Sequence, residues 1–401
     1  MNESLAPEIF QAILLQVVDP RDPKQAWVEI VDQRRTLCYV SKYWEKMVAG
    51  FSELWTPITI QRFTTPSLLS RCLKCCGEDR VIDITMDLGA WKVTAKDKVL
   101  TNVKSVPMDQ FLEMIDGVLM PFANRIASMS VENEKEREVS MVANMMAEHS
   151  WPRLQKLALK PSWYDGSPRR AFALPQVHQI NDFQLDIISP RQVPISIFPT
   201  LHILALRESL NGHWNAFEVV IRQLTDIRQL KLDKVTVTRP HPNSAVRMAD
   251  TLHTLHFYYE NTGQAEILGA LDIGRLDRLS IRAYDSGDLR DAITSNPSVF
   301  AHSREISICQ RNDDTQEGTF AALVAMRDVV CLDMGLCGSL GVEALKEFVR
   351  QGRELSSLEN VDCGGVFNAE DMEYIAGGRF AENFKVMQHG QVVGKEQGKK
   401  N

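Results

Sequence analysis

Two six-residue stretches, Leu252-His253-Thr254-Leu255-His256-Phe257 and Leu276-Asp277-Arg278-Leu279-Ser280-Ile281, share one pattern of apolar and polar residues. In each stretch the first, fourth and sixth residues are apolar, and most of the residues between them are polar. Side chains alternate between the two faces of a β-strand, so the fourth and sixth residues share one face and the fifth lies on the other. The pattern therefore predicts a short strand with one buried face and one polar face.

The same pattern recurs along most of the chain. Four more clean copies begin at Ile126, Leu154, Leu201 and Ile227, and weaker copies begin near Val177, Ser303, Met326 and Leu355. Successive copies start 23 to 29 residues apart. Segments with helical spacing of apolar residues lie between them, at 216–224, 265–271, 288–295, 319–325 and 341–351. One strand and one helix per unit, repeated at a regular period, predict an α/β fold with a parallel sheet.

This repeat resembles the Leu-x-x-Leu-x-Leu core of the leucine-rich-repeat family. The resemblance implies an irregular solenoid over residues 126–387, with the parallel sheet on its inner face. Residues 61–125 contain a strand-like segment at 81–84 and a helical pattern at 108–119, which fit either early repeats or a capping region. Residues 388–401 are rich in Gly, Lys and Gln and have no apolar pattern, so we expect a disordered tail there.

The first sixty residues predict three short helices. Helix 1 is expected over 7–18, with Pro7 in its first turn, and helix 2 over 23–33 after the break at Asp19-Pro20. A third helical pattern runs from Leu37 to Phe51, and Gly50 offers a stop. Residues 1–60 are therefore expected to form a separate helical module.

This module resembles an F-box, in the form common among fungal F-box proteins. Residues 5–10 look like the opening Leu-Pro-x-Glu-Ile segment of that family, and residues 40–44 with 54–55 look like its closing Val-Cys-Lys-x-Trp and Leu-Trp segments. The resemblance implies that the helices bind a Skp-type adaptor protein and, through it, a cullin. The matching positions would form an apolar surface for the adaptor, and they are Leu5, Pro7, Ile9, Val40, Trp44, Leu54 and Trp55.

Composition restricts the class of protein. The net charge of -7 is opposite to that of a typical binder of nucleic acid or anionic membrane, so neither partner is expected. The first twenty residues contain no Lys or Arg, and no apolar run is long enough to span a bilayer. Eight cysteines without regular spacing fit reduced thiols, which favours a cytoplasmic or nuclear location.

The sequence contains none of the common motifs of catalytic or metal sites. Phosphate-binding glycine loops, nucleophile elbows and His-Glu-x-x-His motifs are all missing from the sequence. Cys72, Cys75 and Cys76 are close together, but no second pair of ligands follows at the spacing of a zinc site. We therefore expect neither an enzyme nor a cofactor or metal.

The polar positions of the predicted strands are candidates for binding a protein substrate, because they project from the exposed face of the sheet. They predict a surface that is basic in its middle and acidic toward its end, at Glu305, Asp333 and Asp362. The preferred contact residues are Arg207, His256, Tyr258, Arg278, Arg282 and Tyr284.

Together these expectations describe a substrate-recognition subunit of a cullin-RING ubiquitin ligase, with an adaptor at its helices and an unidentified protein target on its repeats. The alternative is a repeat scaffold or structural interaction protein with no role in ubiquitin transfer, in which the helices only cap the repeats.

Overall fold

A computed structural model describes residues 7–18, 27–89, 93–95, 98–100, 106–163, 173–174, 180–188, 192–208, 214–235, 245–258, 264–283, 285–310, 315–363, 369–381, 384–388 and 391–392. The chain divides into two compact units. Unit 1 comprises residues 1–188 and 192–197, and unit 2 comprises residues 189–191 and 198–401.

Three helices open unit 1. They are α1 (Pro7–Val17), α2 (Trp27–Val40) and α3 (Lys42–Gly50). Helix α1 begins at Pro7 as predicted and ends one residue before its predicted end, and α3 ends at Gly50 as predicted. Helix α2 continues seven residues beyond its predicted end, and its predicted start at residue 23 lies outside the described residues. Leu37 and Val40 belong to α2 because Ser41 starts a new helix: its hydroxyl accepts a hydrogen bond from Trp44 N at 3.2 Å.

The rest of unit 1 alternates strands with helices. Its elements are β1 (Pro57–Gln61), α4 (Pro66–Cys75), β2 (Ile82–Asp87), β3 (Val93–Ala95), β4 (Lys98–Leu100), α5 (Met108–Val118), β5 (Ile126–Lys135), α6 (Glu136–Ala147), β6 (Lys156–Trp163) and β7 (Asp182–Asp186). Short 3-10 helices cover Ser52–Leu54, Met120–Arg125 and Ile195–Thr200. The parallel sheet has the order β1-β2-β5-β6-β7. Residues 61–125 thus add β2 to this sheet, between β1 and β5, and they also form α4 and α5.

Unit 2 continues the alternation. Its elements are β8 (Ile203–Arg207), α7 (Trp214–Gln223), β9 (Gln229–Asp233), β10 (Val246–Arg247), β11 (Thr254–Tyr258), α8 (Gln264–Ala270), β12 (Leu271–Asp272), β13 (Arg278–Ala283), α9 (Ser286–Ser295), α10 (Pro297–His302), β14 (Glu305–Gln310), α11 (Glu317–Ala325), β15 (Cys331–Asp333), α12 (Ser339–Arg350), β16 (Glu354–Leu355), β17 (Asn360–Asp362), α13 (Ala369–Ala376), β18 (Arg379–Phe380), β19 (Lys385–Gln388) and β20 (Gln391–Val392). Its main sheet has the order β8-β9-β11-β13-β14-β15-β17-β19-β20.

All neighbouring strands of that main sheet are parallel except β19 and β20. The predicted α/β class with a parallel sheet is therefore confirmed. The predicted tail begins too early, because Gln388 ends β19 and residues 391–392 form β20. The remaining tail positions lie outside the described residues.

Apolar residues of successive strands stand opposite one another and form the core. In unit 2, Leu204, Leu230, Leu255, Leu279 and Ile306 form one row, which continues through the later strands, and each of the five is almost completely buried. In-register pairing places every member of the row on the same face. This buried row fixes which face of the sheet remains polar.

Three of the weaker copies are placed wrongly by three residues. The buried residues that begin the strand pattern are Ile180, Val329 and Leu358 rather than Val177, Met326 and Leu355. Met326 and Leu355 are themselves buried, at the end of α11 and in β16. Apolar residues just before a strand thus imitate the pattern of the strand.

Candidate functional site

Helix α1 has two apolar faces. Phe10 and Leu14 are buried, and the ring of Phe10 makes an edge contact with the Trp44 ring at a centroid distance of 4.6 Å. Ile9, Ile13 and Val17 follow one another every four residues along the other face, where their exposed fractions are 53, 38 and 52%. A helix in water normally shows polar residues on its exposed face, so this stripe is unusual for a free surface.

Further exposed apolar side chains lie where α2 meets α3. Val40 is 59% exposed, and Tyr43 is exposed while its ring lies 6.0 Å from the ring of Phe10 in α1. We call Ile9, Ile13, Val17, Val40 and Tyr43 the N-terminal apolar patch. Ile9 and Val40 of the predicted adaptor surface belong to it, and Trp44 is half-buried beside it.

Two other residues of the predicted adaptor surface lie in the core. Leu54 is completely buried and Trp55 is 4% exposed. The Trp55 indole Nε1 donates a hydrogen bond to Val48 O at 2.8 Å, and the Arg34 guanidinium lies over the ring at 5.0 Å. The expectation that all seven residues share one surface is therefore corrected. Pro7 begins α1, and Leu5 lies outside the described residues.

The cysteine cluster lies beside the same tryptophan. Burial raises the pKa of the Cys72 thiol to about 11 and that of Cys76 to about 12, while burial lowers the pKa of Arg34 to about 10. The Cys76 thiol donates to Trp55 O at 3.0 Å. These thiols are protonated at neutral pH and serve packing, and the described residues contain no group of three His, Cys, Asp or Glu that could hold a metal ion.

The polar face of the unit 2 sheet carries most of the predicted substrate contacts. One row contains Thr254, Arg278, Glu305, Cys331 and Asn360, in register across β11, β13, β14, β15 and β17. The next row up the strands is also in register, and it contains Lys231, His256, Ser280, Ser307, Asp333, Asp362 and Met387. The predicted change from basic to acidic residues along the sheet is thus present in the geometry.

The six preferred contact residues have different environments. Arg207 is exposed and forms an ion pair with Asp233 at 3.2 Å, so part of its charge is neutralised. Arg278 and Arg282 are exposed on β13. Tyr258 ends β11, and Tyr284 lies outside the described residues. The arginines of β13 are therefore the cations best placed to contact a partner.

His256 is a neutral member of this face. Partial burial, together with the nearby charges of Lys231 and Arg278, lowers the pKa of His256 to about 4. Its Nε2 lies 2.9 Å from the Gln229 side-chain nitrogen, and a neutral imidazole can accept that hydrogen bond. At neutral pH His256 thus adds no charge to the basic part of the face.

A groove crosses the acidic end of this face. Its volume is about 430 Å³ and its charged lining residues are Arg278, Glu305, Asp333 and Asp362. Its lining also includes the buried apolar residues Ile306 and Leu332, and four residues of the exposed face: Ser307, Cys331, Asn360 and Met387. The sequence prediction missed these four, although they occupy the same strand positions as the charged residues that it named.

Asp333 lines the groove, and two hydrogen bonds hold its carboxylate in place. Its Oδ1 accepts a hydrogen bond from Gly335 N at 2.8 Å, and its Oδ2 accepts one from the Ser307 hydroxyl at 3.0 Å. Within the described part of the chain, neither Asp333 nor Glu305 forms an ion pair. Two carboxylates of the groove thus present unneutralised negative charge.

None of the described helices combines the length and apolar character needed to cross a membrane. No protein-family model matches the chain, and no curated protein matches it.

Proposed function

We propose that the protein is a substrate-recognition subunit of a cullin-RING ubiquitin ligase, an F-box protein with leucine-rich-like repeats. The N-terminal apolar patch binds a Skp-type adaptor, and the polar face of the unit 2 sheet binds a protein target. The protein itself performs no chemistry in this role. The observation that carries the proposal is the exposed apolar stripe of α1, within the segment whose sequence resembles an F-box.

The exposed stripe is suited to a helical partner. Apolar residues four positions apart lie on one line along a helix, so they can enter the groove between two helices of another protein. Complete burial of an Ile or Val side chain is worth about 1.5 to 3 kcal/mol. The exposed fractions of these side chains are 38 to 53%, so only that part of each remains to be buried, and we expect about 1 kcal/mol from each on binding.

The polar face supports the second half of the proposal. Its acidic end contains a groove whose lining combines charged side chains with hydrogen-bonding side chains and with the apolar Ile306, Leu332 and Met387. Such a face is suited to recognise an extended polar segment of another protein.

The test is co-purification of the full chain with a Skp-type adaptor, for the wild type and for a variant with Ile9→Gln, Ile13→Gln and Val17→Gln. These substitutions leave the buried face of α1 intact, and Gln is a good helix former. The matched control carries Ile195→Gln, Val219→Gln and Leu336→Gln, which are exposed aliphatic residues elsewhere, at 55, 48 and 69%.

We expect the wild type and the control to form a one-to-one complex, and the α1 variant to bind roughly 100-fold more weakly, since about 3 kcal/mol of contact energy is removed. A wild type that fails to bind the adaptor at micromolar concentration rejects the ubiquitin-ligase role. Equal weakening of the control rejects the assignment of the adaptor surface to α1.

The alternative function, a repeat scaffold without a ubiquitin role, draws on a different observation. Trp55 and Arg34 pack together, so α2 contributes to the same core as the segment that leads into β1. Helices that share the core of unit 1 also fit a cap on the repeats. A scaffold has no need of an exposed stripe on α1, and for this reason we favour the receptor.

A further inference from the structure

The charges on the polar face of unit 2 are separated into two halves. Lys231 on β9 and Arg278 and Arg282 on β13 make up the basic half. Glu305, Asp333 and Asp362, on β14, β15 and β17, make up the acidic half. The change of sign falls between two neighbouring strands, where Arg278 stands opposite Glu305.

The residues between and around the halves leave this separation intact. His256 is neutral at pH 7, and Ser280 and Ser307 carry no charge. The ion pair between Arg207 and Asp233 neutralises part of the charge at the basic edge. Lys385 stands opposite Asn360 at the far edge of the sheet, but it does not line the groove. A partner that lies across the strands therefore meets positive charge first and negative charge afterwards.

We propose that the groove and the adjoining basic half bind an extended protein segment whose acidic and basic residues are separated along its sequence. The basic side chain of the segment enters the groove, where Asp333 and Asp362 bind its ammonium or guanidinium group. Its methylene groups pack on Met387, as long cationic side chains commonly do on apolar surface. The acidic residues of the segment contact Arg278, Arg282 and Lys231.

The spacing of the strands fixes the spacing of the charges in the segment. Neighbouring strands lie about 4.8 Å apart, so the distance from β13 to the middle of the β15–β17 pair is about 12 Å. An extended chain advances about 3.4 Å per residue. The acidic and basic residues of the bound segment are therefore about three to four positions apart.

This inference deepens the proposed function, since it names the chemistry of the target, and it rests on that function for the identity of the partner as a protein target. The two can fail separately. Adaptor binding is measured at α1 in unit 1, whereas peptide binding is measured at the groove in unit 2.

The probe is a rhodamine-labelled peptide with the sequence Gly-Glu-Glu-Ser-Gly-Ser-Lys-Lys-Gly, and the reference peptide has the same composition with alternating charges, Gly-Glu-Lys-Ser-Gly-Ser-Glu-Lys-Gly. Binding to the full chain is followed by fluorescence anisotropy at low ionic strength. We expect the first peptide to bind at least tenfold more tightly than the second, although their net charges are equal. Equal affinities would overturn the proposal.

Variants of the full chain locate the site. Asp333→Asn with Asp362→Asn should lower the affinity for the charge-separated peptide about tenfold, whereas Asp272→Asn with Asp291→Asn should leave it within twofold. The control makes the same change in net charge at exposed carboxylates outside the groove. An equal loss in both variants would mean unspecific attraction and would reject the site.

A charge-reversed variant distinguishes the loss of a contact from a loss of folding, because it is expected to gain affinity. Asp333→Lys with Asp362→Lys should gain at least tenfold in affinity for a peptide in which both Lys residues are replaced by Glu, and failure of that folded variant to do so contradicts the proposal.

The Lys-rich end of the chain is tested as a rival occupant of the groove with the substitutions Lys395→Gln, Lys399→Gln and Lys400→Gln. A tenfold gain in peptide affinity in this variant would replace the protein partner with the chain's own end.

Discussion

At the scale of single residues, the surroundings of His256 on the polar face lower the pKa of its imidazole. Its pKa of about 4 arises first from burial and then from the charges of Lys231 and Arg278. In the unfolded chain a histidine titrates near pH 6.5. Between pH 6.5 and 4 the unfolded chain therefore binds the extra proton, and stability that is present above pH 6.5 is lost as the pH falls through this range.

We predict that the imidazole resonance of His256, followed by NMR, titrates with a midpoint near pH 4. Between pH 7 and pH 5 the wild type should lose about 1 kcal/mol more unfolding free energy than His256→Gln, a figure reduced because water screens a half-buried group. Urea titrations at the two pH values measure this difference. A midpoint above pH 6 would show that the imidazole is solvated as in a free peptide.

At the scale of elements, helices α9 and α11 pack so closely that only glycine fits between them at one point. A Cβ at Gly318 would lie 2.7 Å from Ser286 Cα and 2.8 Å from Ser286 O, which are backbone atoms and cannot rotate away. The same contact is reinforced by the Ser286 hydroxyl, which donates to Thr315 O at 2.6 Å, and by Gln310 Nε2, which donates to Ser286 Oγ at 3.0 Å.

Gly318→Ala should therefore lower the free energy of unfolding by about 1 to 3 kcal/mol, the usual cost of overpacking a core. Gly117→Ala in α5 is the matched control, because no atom other than the adjoining backbone of its own helix lies within 4 Å of the added methyl group. The control should be more stable than the wild type by about 0.5 to 1 kcal/mol, since Ala favours a helix. Urea denaturation compares both with the wild type, and an undisturbed Gly318→Ala variant would contradict the close packing.

The elements were predictable from the sequence where burial alone determines the pattern. The strands that begin at Thr254 and Arg278 follow directly from Leu255, Phe257, Leu279 and Ile281, which are all buried. The pattern misplaced the strand after α11, because Met326 at the helix end is as well buried as a strand residue. Periodicity reports burial, and it does not report which element buries the residue.

The candidate surfaces were less predictable, for a related reason. The sequence alone does not distinguish Trp44 from Trp55. In the structure, the Trp55 indole donates a hydrogen bond to Val48 O and packs against the Arg34 guanidinium, whereas Trp44 remains half-buried. A choice between core and surface depends on such contacts between segments. The exposed stripe Ile9, Ile13 and Val17 has helical spacing in the sequence, but the spacing alone does not distinguish it from the buried face of α1.

At the scale of the whole molecule, the net charge does not show how the charges are distributed. A total of -7 gives no sign of a face on which basic and acidic residues are separated. The separation arises because in-register parallel pairing places residues from 231 to 362 side by side, so charges that are distant in sequence become neighbours. Salt should therefore weaken peptide binding more than it weakens binding at the apolar patch.

The two surfaces belong to different compact units: the N-terminal apolar patch lies in unit 1 and the groove lies in unit 2. Coupling between two ligands requires an element whose equilibrium both ligands change. The buried apolar rows are continuous and nearly free of solvent in each unit, and such close packing resists a change of conformation.

We predict that a saturating concentration of the Skp-type adaptor changes the affinity for the charge-separated peptide by less than twofold, measured by anisotropy with and without the adaptor. A change of fivefold or more, in either direction, would mean that the two surfaces are coupled and that adaptor binding regulates the groove.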